Sequence, residues 1–130
     1  MGSIEGYAAE DFYAPPHHFQ AVKVTDARTV LFIAGQVARD SEGNSAHQGD
    51  FVGQARAVFQ SLMAQVKAGG GTAQNIVKVN IYLTDIRYRA DLAPVREEFL
   101  GKKQPAVTLL AVVALAQPEW LIEVEAIAVI

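Results

Sequence analysis

The sequence predicts an α+β domain in which two helices cover one face of a mixed β-sheet. Three observations predict this class. The chain has 130 residues, the size of one domain. Apolar residues make up 51% and charged residues 19%, which allows a packed core. Segments of period two alternate with two segments of helical period, in the order β-β-(β)-α-β-α-β-β.

The N-terminal part predicts an irregular arm followed by two strands. Residues 1–19 show no sustained period and contain adjacent prolines, so we expect an irregular N-terminal arm and a domain over residues 20–130. Residues 21–25 (AVKVT) and 29–34 (TVLFIA) predict two strands that pair as a hairpin across a tight turn. Gly35 interrupts the second strand and predicts a bulge.

Two segments have the apolar spacing of helices. The first follows Asp50, a suitable N-cap, and ends at the three glycines 69–71. The second covers residues 91–100, with Pro94 in its first turn, where a missing backbone N–H does no harm.

Three later segments predict strands. Residues 76–84 alternate apolar and polar side chains, whereas residues 106–116 are almost entirely apolar and residues 120–130 form a final strand. Two helices cover only one face of a sheet, yet the last strands are apolar on both. The second face is therefore buried either by self-association or by strands that close into a barrel within one chain.

Composition excludes several classes of protein and site. The chain has no cysteine, which excludes disulfides, thiolate nucleophiles and Cys-based metal sites. Its net charge of −3 and pI near 5.5 argue against nucleic acid as a partner. No segment reaches the ~20 apolar residues that span a bilayer, and the N-terminus lacks the basic residues of a signal peptide. We expect a cytoplasmic protein with no membrane partner.

Six short segments occur in an order that resembles a known family. They are IAGQV (33–37), GD (49–50), IVKVNIYLTDI (76–86), EEF (97–99), QPAVT (104–108) and IEVEAIAV (122–129). From about Gln20 to Ile130 the chain resembles the Rid family, the reactive intermediate deaminases, also called YjgF-like or L-PSP proteins. The resemblance implies a chorismate-mutase-like α+β subunit and a homotrimer whose sheets form a central barrel. It also implies a small-molecule cleft at each subunit interface.

One motif departs from the family pattern. Members of that family with known activity share a PAR-[ST] motif. Its arginine binds the carboxylate of a 2-imino or enamine acid through a bidentate contact. Water then converts that acid to a keto acid and ammonia. Here Pro105–Thr108 reads PAVT, so Val107 stands at the arginine position. A valine anchors no carboxylate, which argues against the usual imino-acid deaminase activity.

The resemblance implies one catalytic carboxylate, and the residues suggest two histidines beside it. Glu123, the first glutamate of the last strand, either positions the hydrolytic water or is a structural carboxylate with hydrogen-bond partners. His17 and His18 in the arm either replace a lost acid or base or are simply exposed.

The predicted substrate-binding residues are Val107, Thr108, Gly35, Ala34, Phe19 and Arg96. Arg96 of the second helix either supplies the missing cation from a new direction or forms a surface ion pair with a nearby carboxylate. No His-x-x-x-His pair or aspartate cluster predicts a metal, and no motif predicts a cofactor.

Two functions follow from these residues. The first is an enzyme that hydrolyses or tautomerises a small imine- or enamine-type metabolite, with specificity altered by Val107. The second is a non-catalytic trimeric module that binds a small molecule or regulates a partner. The endoribonuclease activity attached to some relatives is disfavoured because the chain is acidic and has no basic stripe.

Overall fold

The computed structural model describes residues 2–130 and confirms the α+β class. Two helices lie on one face of a five-stranded mixed sheet, and a two-stranded ribbon lies beside it. The strands are β1 (Ser3–Tyr7), β2 (His18–Phe19), β3 (Ala21–Thr25), β4 (Val30–Gln36), β5 (Ile76–Leu83), β6 (Gln104–Ala111) and β7 (Ile122–Val129), and the helices are α1 (Phe51–Ala68) and α2 (Arg89–Leu100).

The main sheet has the strand order β2-β6-β5-β7-β4. Strands β2, β6 and β5 run parallel, whereas β7 is antiparallel to both of its neighbours, β5 and β4. The core lies between this sheet and the helices. Its largest fully buried side chains are Phe59, Leu62, Ile81, Leu83, Leu92 and Ile122.

Helix α1 begins and ends where its sequence predicts. The Asp50 side chain accepts a hydrogen bond from the Gly53 N–H at 3.0 Å, as an N-cap does. The N–H of Gly69 bonds back to Gln65 at the other end. Helix α2 begins at Arg89, two residues earlier than expected, after a 3₁₀ turn capped by the Asp85 carboxylate.

The prediction of an irregular arm over residues 1–19 was wrong. Strand β1 pairs antiparallel with β3 from Ser3 to Tyr7, and β2 pairs in parallel with the start of β6. Both β3 and β6 offer an unpaired edge whose backbone groups need partners, and the arm supplies them.

The hairpin prediction was also wrong. Strand β4 pairs not with β3 but with β7, in the register Val30 to Val129. The register shifts between Ile33 and Gln36, which confirms the bulge predicted at Gly35. Strand β6 ends at Ala111 rather than residue 116, and β7 starts at Ile122 rather than residue 120. The apolar residues beyond these limits belong to the connecting loop.

The second face of the sheet carries no helix. Phe32 is 79% exposed there, and Val30 and Leu110 are about half exposed. We call this surface the open face. The sheet is open, with β2 and β4 at its edges, so the alternative that the strands close into a barrel within one chain was wrong. An exposed surface with large apolar side chains indicates a binding partner, and self-association stays the prediction for this face.

Candidate functional site

A cleft of about 950 Å³ lies between the N-terminal arm, helix α2 and the edge of strand β6. Its lining residues come from three segments of the chain: Tyr13, Pro15, Pro16, His17 and His18; Ile86, Arg87, Arg89, Ala90, Ala93, Arg96 and Glu97; and Lys102, Val107 and Leu109. We call it the arm cleft. Its size suits a small metabolite.

Lys103 holds the arm against the sheet. Its Nζ donates to the carbonyl oxygens of Pro15 at 2.9 Å and His18 at 3.0 Å, and it lies 4.7 Å above the ring centroid of Phe19. The backbone pairing of β2 with β6 adds to this anchor. These contacts fix the two histidines at the mouth of the cleft.

The cleft is positively charged. Burial, then the charges of Arg96 and Lys103, lower the pKa of the His18 imidazole below its usual 6.5. Burial, then the charge of Arg89, lower the pKa of the half-buried Arg96 guanidinium. His18 is therefore neutral at pH 7 and able to accept a proton.

The floor of the cleft is apolar where the family motif has its arginine. Val107 pairs in register with the buried Val79, so its side chain faces the helices and packs against the core. Leu109 lies on the same side, two residues further along β6.

Glu123 lies on the other side of the sheet. In the pairing of β7 with β5, Glu123 lies opposite Tyr82 on the open face. Its carboxylate lies directly over Gly35. A Cβ at position 35 would collide with that carboxylate, so a larger residue there would displace the Glu123 side chain from this position. The next glutamate, Glu125, accepts hydrogen bonds from the Tyr82 hydroxyl and from Asn80 Nδ2.

The hydrogen bond to Glu125, followed by burial, raises the pKa of the Tyr82 hydroxyl above 10.0. Thr108 also lies on the open face, where its hydroxyl accepts from Lys78 Nζ at 2.7 Å. Glu125 and Thr108 therefore have structural partners within the chain, whereas Glu123 has its carboxylate against backbone at the bulge.

The predicted site residues thus fall into two groups in one chain. His17, His18, Val107 and Arg96 line the arm cleft. Glu123, Gly35, Ala34 and Thr108 lie on the open face. Phe19 lies beside the cleft, with its ring against Gly6 of β1, and does not line it. Alternation along each strand separates the groups.

Sequence reasoning missed eleven of the fifteen lining residues, among them Tyr13, Lys102 and Leu109. The position of Leu109 could have been predicted from the alternation of side chains along β6, because it lies on the same strand face as Val107. The other two carried no signal, since only the return of the arm to β6 brings them to the cleft.

No helix within residues 2–130 combines the length and apolar character needed to cross a membrane. Within the same residues, no three His, Asp or Glu side chains converge as a metal site requires.

Comparison with known proteins gives the family. The model of the Endoribonuclease L-PSP family matches residues 12–130, which include part of the arm. RutC family protein PH0854 of Pyrococcus horikoshii is 36% identical over 109 residues, 84% of this chain and 83% of that protein. The Rid family protein YyfB from Yersinia pestis has a TM-score of 0.86 at 28% identity and covers 98% of both chains.

RidA from an Antarctic Psychrobacter has a TM-score of 0.72 at 32% identity, over 96% of this chain and 94% of its own. These likenesses define a small α+β protein of the L-PSP fold. The chain belongs to the Rid family, as its motifs suggested.

Proposed function

We propose that this Rid-family chain is an enzyme that acts on a small imine- or enamine-type metabolite, by hydrolytic deamination or tautomerisation. The observation that carries the proposal is the placement of His18, which lies near Arg96 and Lys103 in a cleft of metabolite size. The reaction requires no cofactor, because hydrolysis of an imine needs only water and proton transfers. The proposal places it in the cytoplasm, without nucleic acid or membrane.

The chemistry uses His18 as the base. Its imidazole accepts a proton from water as the water oxygen adds to the imine carbon, and it returns that proton to the imine nitrogen, which gives a carbinolamine. The imidazole then takes the hydroxyl proton of the carbinolamine and passes it to the amino nitrogen as the C–N bond breaks, so that a carbonyl compound and ammonia leave. A neutral imidazole, whose pKa is lowered by burial and by the neighbouring cations, accepts and returns each of these protons.

The proposal includes a homotrimer in which the two groups of site residues meet. The open face of one copy, with Glu123 and Gly35, would cover the arm cleft of the next, with His18. Exposed apolar side chains on that face support such an association. Glu123 would then position the attacking water, and Val107 would alter specificity by leaving an apolar wall where relatives have a cation.

The direct test is ammonia release from freshly generated 2-aminoacrylate, above the buffer rate. We expect His18→Gln to lower kcat/KM by about a hundredfold or more. His47→Gln, a matched change in an exposed loop, should stay within about twofold of the wild type. Equal activity of the two variants would contradict the role of His18. Val107→Arg should increase activity on this substrate, because it restores a carboxylate anchor.

A mixing experiment tests the shared site. Glu123→Gln and His18→Gln chains, each inactive, are denatured together and refolded. If each site joins residues of two copies, about a quarter of the sites in random trimers contain both intact groups and activity returns. If both groups serve a site within one copy, no activity returns. Glu5→Gln, on the exposed ribbon, is the control for loss of a glutamate.

The alternative is a non-catalytic trimeric module that binds a small molecule or regulates a partner. The replacement of the motif arginine by Val107 favours it. Saturable binding of a metabolite without ammonia release, in wild type and in Val107→Arg, would establish this alternative and reject the enzyme.

A further inference from the structure

We infer that Lys103 is a positioning residue for the reaction proposed above: it ties residues 15–19 of the arm to the start of β6 and so sets the place and the electrostatic surroundings of His18. The inference rests on the proposed function for its catalytic consequence only, because the position of His18 can be measured without any reaction. Lys103 lies between α2 and β6 and belongs to none of the six segments that resemble the family.

The backbone attaches this part of the arm to the sheet over a short distance. Strand β2 consists of two residues, and its pairing with β6 shifts register between them. Pro15 and Pro16 precede it and have no N–H, so they donate no hydrogen bond to the edge of the sheet. Pro15 is nevertheless buried, and its carbonyl oxygen needs a donor. A side-chain donor therefore has to complete the attachment.

Lys103 supplies that donor and contacts three groups of the arm at once. Its Nζ lies 2.9 Å from the carbonyl oxygen of Pro15, 3.0 Å from that of His18, and 4.7 Å from the ring centroid of Phe19. An ammonium group has three N–H bonds, so two hydrogen bonds and one aromatic contact match its donors. The three partners span the segment that carries His17 and His18, and the backbone of both histidines is thereby fixed against β6.

The same ammonium group acts on the His18 imidazole through its charge. The charged and titratable groups that face this ring come from four parts of the fold: Arg96 of α2, Lys103, Lys78 of β5 and His17 of the arm. Burial is the largest cause that lowers the pKa of His18, and the charges of Arg96 and then Lys103 follow. Lys103 differs from a distant charge because it also binds the His18 carbonyl oxygen, which keeps the ring in the place where burial and charge act on it.

Loss of the ammonium group therefore has two effects in the same direction. The arm loses two hydrogen bonds to Lys103, which exposes the His18 ring to water, and the ring also loses a neighbouring positive charge. Both effects raise the pKa of His18 towards its usual 6.5. A larger fraction of the imidazole is then protonated near neutral pH and unable to act as a base.

The test compares Lys103→Met with Lys103→Arg in the full chain. Methionine removes the charge and the donors, whereas arginine keeps the charge, several N–H donors and the ability to stack on Phe19. Lys67→Met, the same change at an exposed position in the last turn of α1, is the matched control. The measurements are an NMR titration of the His18 ring, hydrogen exchange of the amides of residues 18–19, and the pH profile of kcat/KM with 2-aminoacrylate.

We expect Lys103→Met to raise the titration midpoint of His18 and to accelerate amide exchange in β2. It should also lower kcat/KM at pH 7 by about tenfold or more and move the acid limb of the pH profile to higher pH. Lys103→Arg should keep the wild-type midpoint and stay within about threefold of the wild-type kcat/KM. Lys67→Met should match the wild type in all three measurements. A merely structural role would lower stability without moving the acid limb.

An unchanged His18 midpoint in Lys103→Met, or an equal shift in Lys103→Arg, overturns the inference. If Lys103→Met does not fold, Lys103→Gln, which keeps N–H donors without the charge, replaces it, with the same expected rise and the same refuting result. If the wild type releases no ammonia, the proposed function fails, while the NMR and exchange measurements still decide the inference. Turnover with an unchanged pH profile in Lys103→Met supports the proposed function and rejects the positioning role.

Discussion

Gln54 is a fully buried polar residue that joins helix α1 to the two loops beside it. Its Nε2 donates to the carbonyl oxygens of His47 at 3.2 Å and Glu119 at 3.0 Å, and its Oε1 accepts from the Leu121 N–H at 2.8 Å. We predict that Gln54→Leu destabilises the protein by about 2–4 kcal/mol.

The magnitude follows from the partners that remain. The His47 carbonyl keeps a hydrogen bond from the Asp50 N–H, so it is not left alone. The Glu119 carbonyl loses the hydrogen bond that Gln54 donates, and the Leu121 N–H loses its acceptor. Each buried group left without a partner costs about 1–3 kcal/mol. The added apolar burial of leucine offsets part of this sum.

The assay is urea unfolding at fixed protein concentration, followed by the fluorescence of Trp120, which is 8% exposed and lies in the same turn. Gln60→Leu, on the exposed side of the same helix, is the control and should change the free energy of unfolding by less than about 0.5 kcal/mol. A loss below about 1 kcal/mol for Gln54→Leu would refute the reasoning, because the unpaired groups would then have found water or other partners.

Three further predictions concern charge and packing. In the folded state the hydrogen bonds from Arg87 hold the pKa of Asp85 at about 2, so its contribution to stability is present above pH 3.8 and is lost as the pH falls towards 2. Asp85→Asn should abolish this loss of stability in acid unfolding curves. A curve identical to that of the wild type would contradict the prediction. An NMR titration of His18 should give a midpoint below 6.5 that rises in Arg96→Gln, and a midpoint at or above 6.5 would contradict the burial of its ring. The Phe59 ring is fully buried and stacked on a second phenylalanine, so Phe59→Ala should lower the free energy of unfolding in urea by about 3–5 kcal/mol. A loss below about 2 kcal/mol would contradict this prediction, because it would mean that the core collapses into the cavity.

The elements that sequence reasoning located correctly carry their own periodicity. Helix α1 has an N-cap at Asp50 and glycines at its end, and β5 alternates apolar and polar residues throughout. Local chemistry decides such elements. Strand pairing is a different matter, because β4 pairs with β7 through contacts almost a hundred residues apart. Proximity in the chain favoured a hairpin with β3, but β4 pairs with the edge of β7 instead.

The pairing of the N-terminal arm also could not be predicted from local sequence. Residues 3–7 carry no alternation that distinguishes them, and they are ordered because β3 offers an edge. The basic character of the cleft was equally hidden, since Arg96 and Lys102 meet the histidines only after the arm folds back. The orientation of Arg96 did have a signal, because it lies four residues after the buried Leu92 and hence on the flank of the helix face that packs on the core.

Strand parity decides how far the family chemistry transfers to this chain. Val107 and Glu123 stand on neighbouring parts of one sheet but on opposite faces, and no rotamer brings Glu123 through the sheet to the arm cleft. In the proposed function Glu123 therefore acts only in the cleft of a second copy, whereas His18 acts in the cleft of its own copy. The two residues therefore depend differently on assembly. Dilution to a lone protomer should abolish any reaction step that needs Glu123 while leaving the arm cleft intact. A protein in which both properties vanish together on dilution would have its arm, and not only its shared site, ordered by the neighbouring copy.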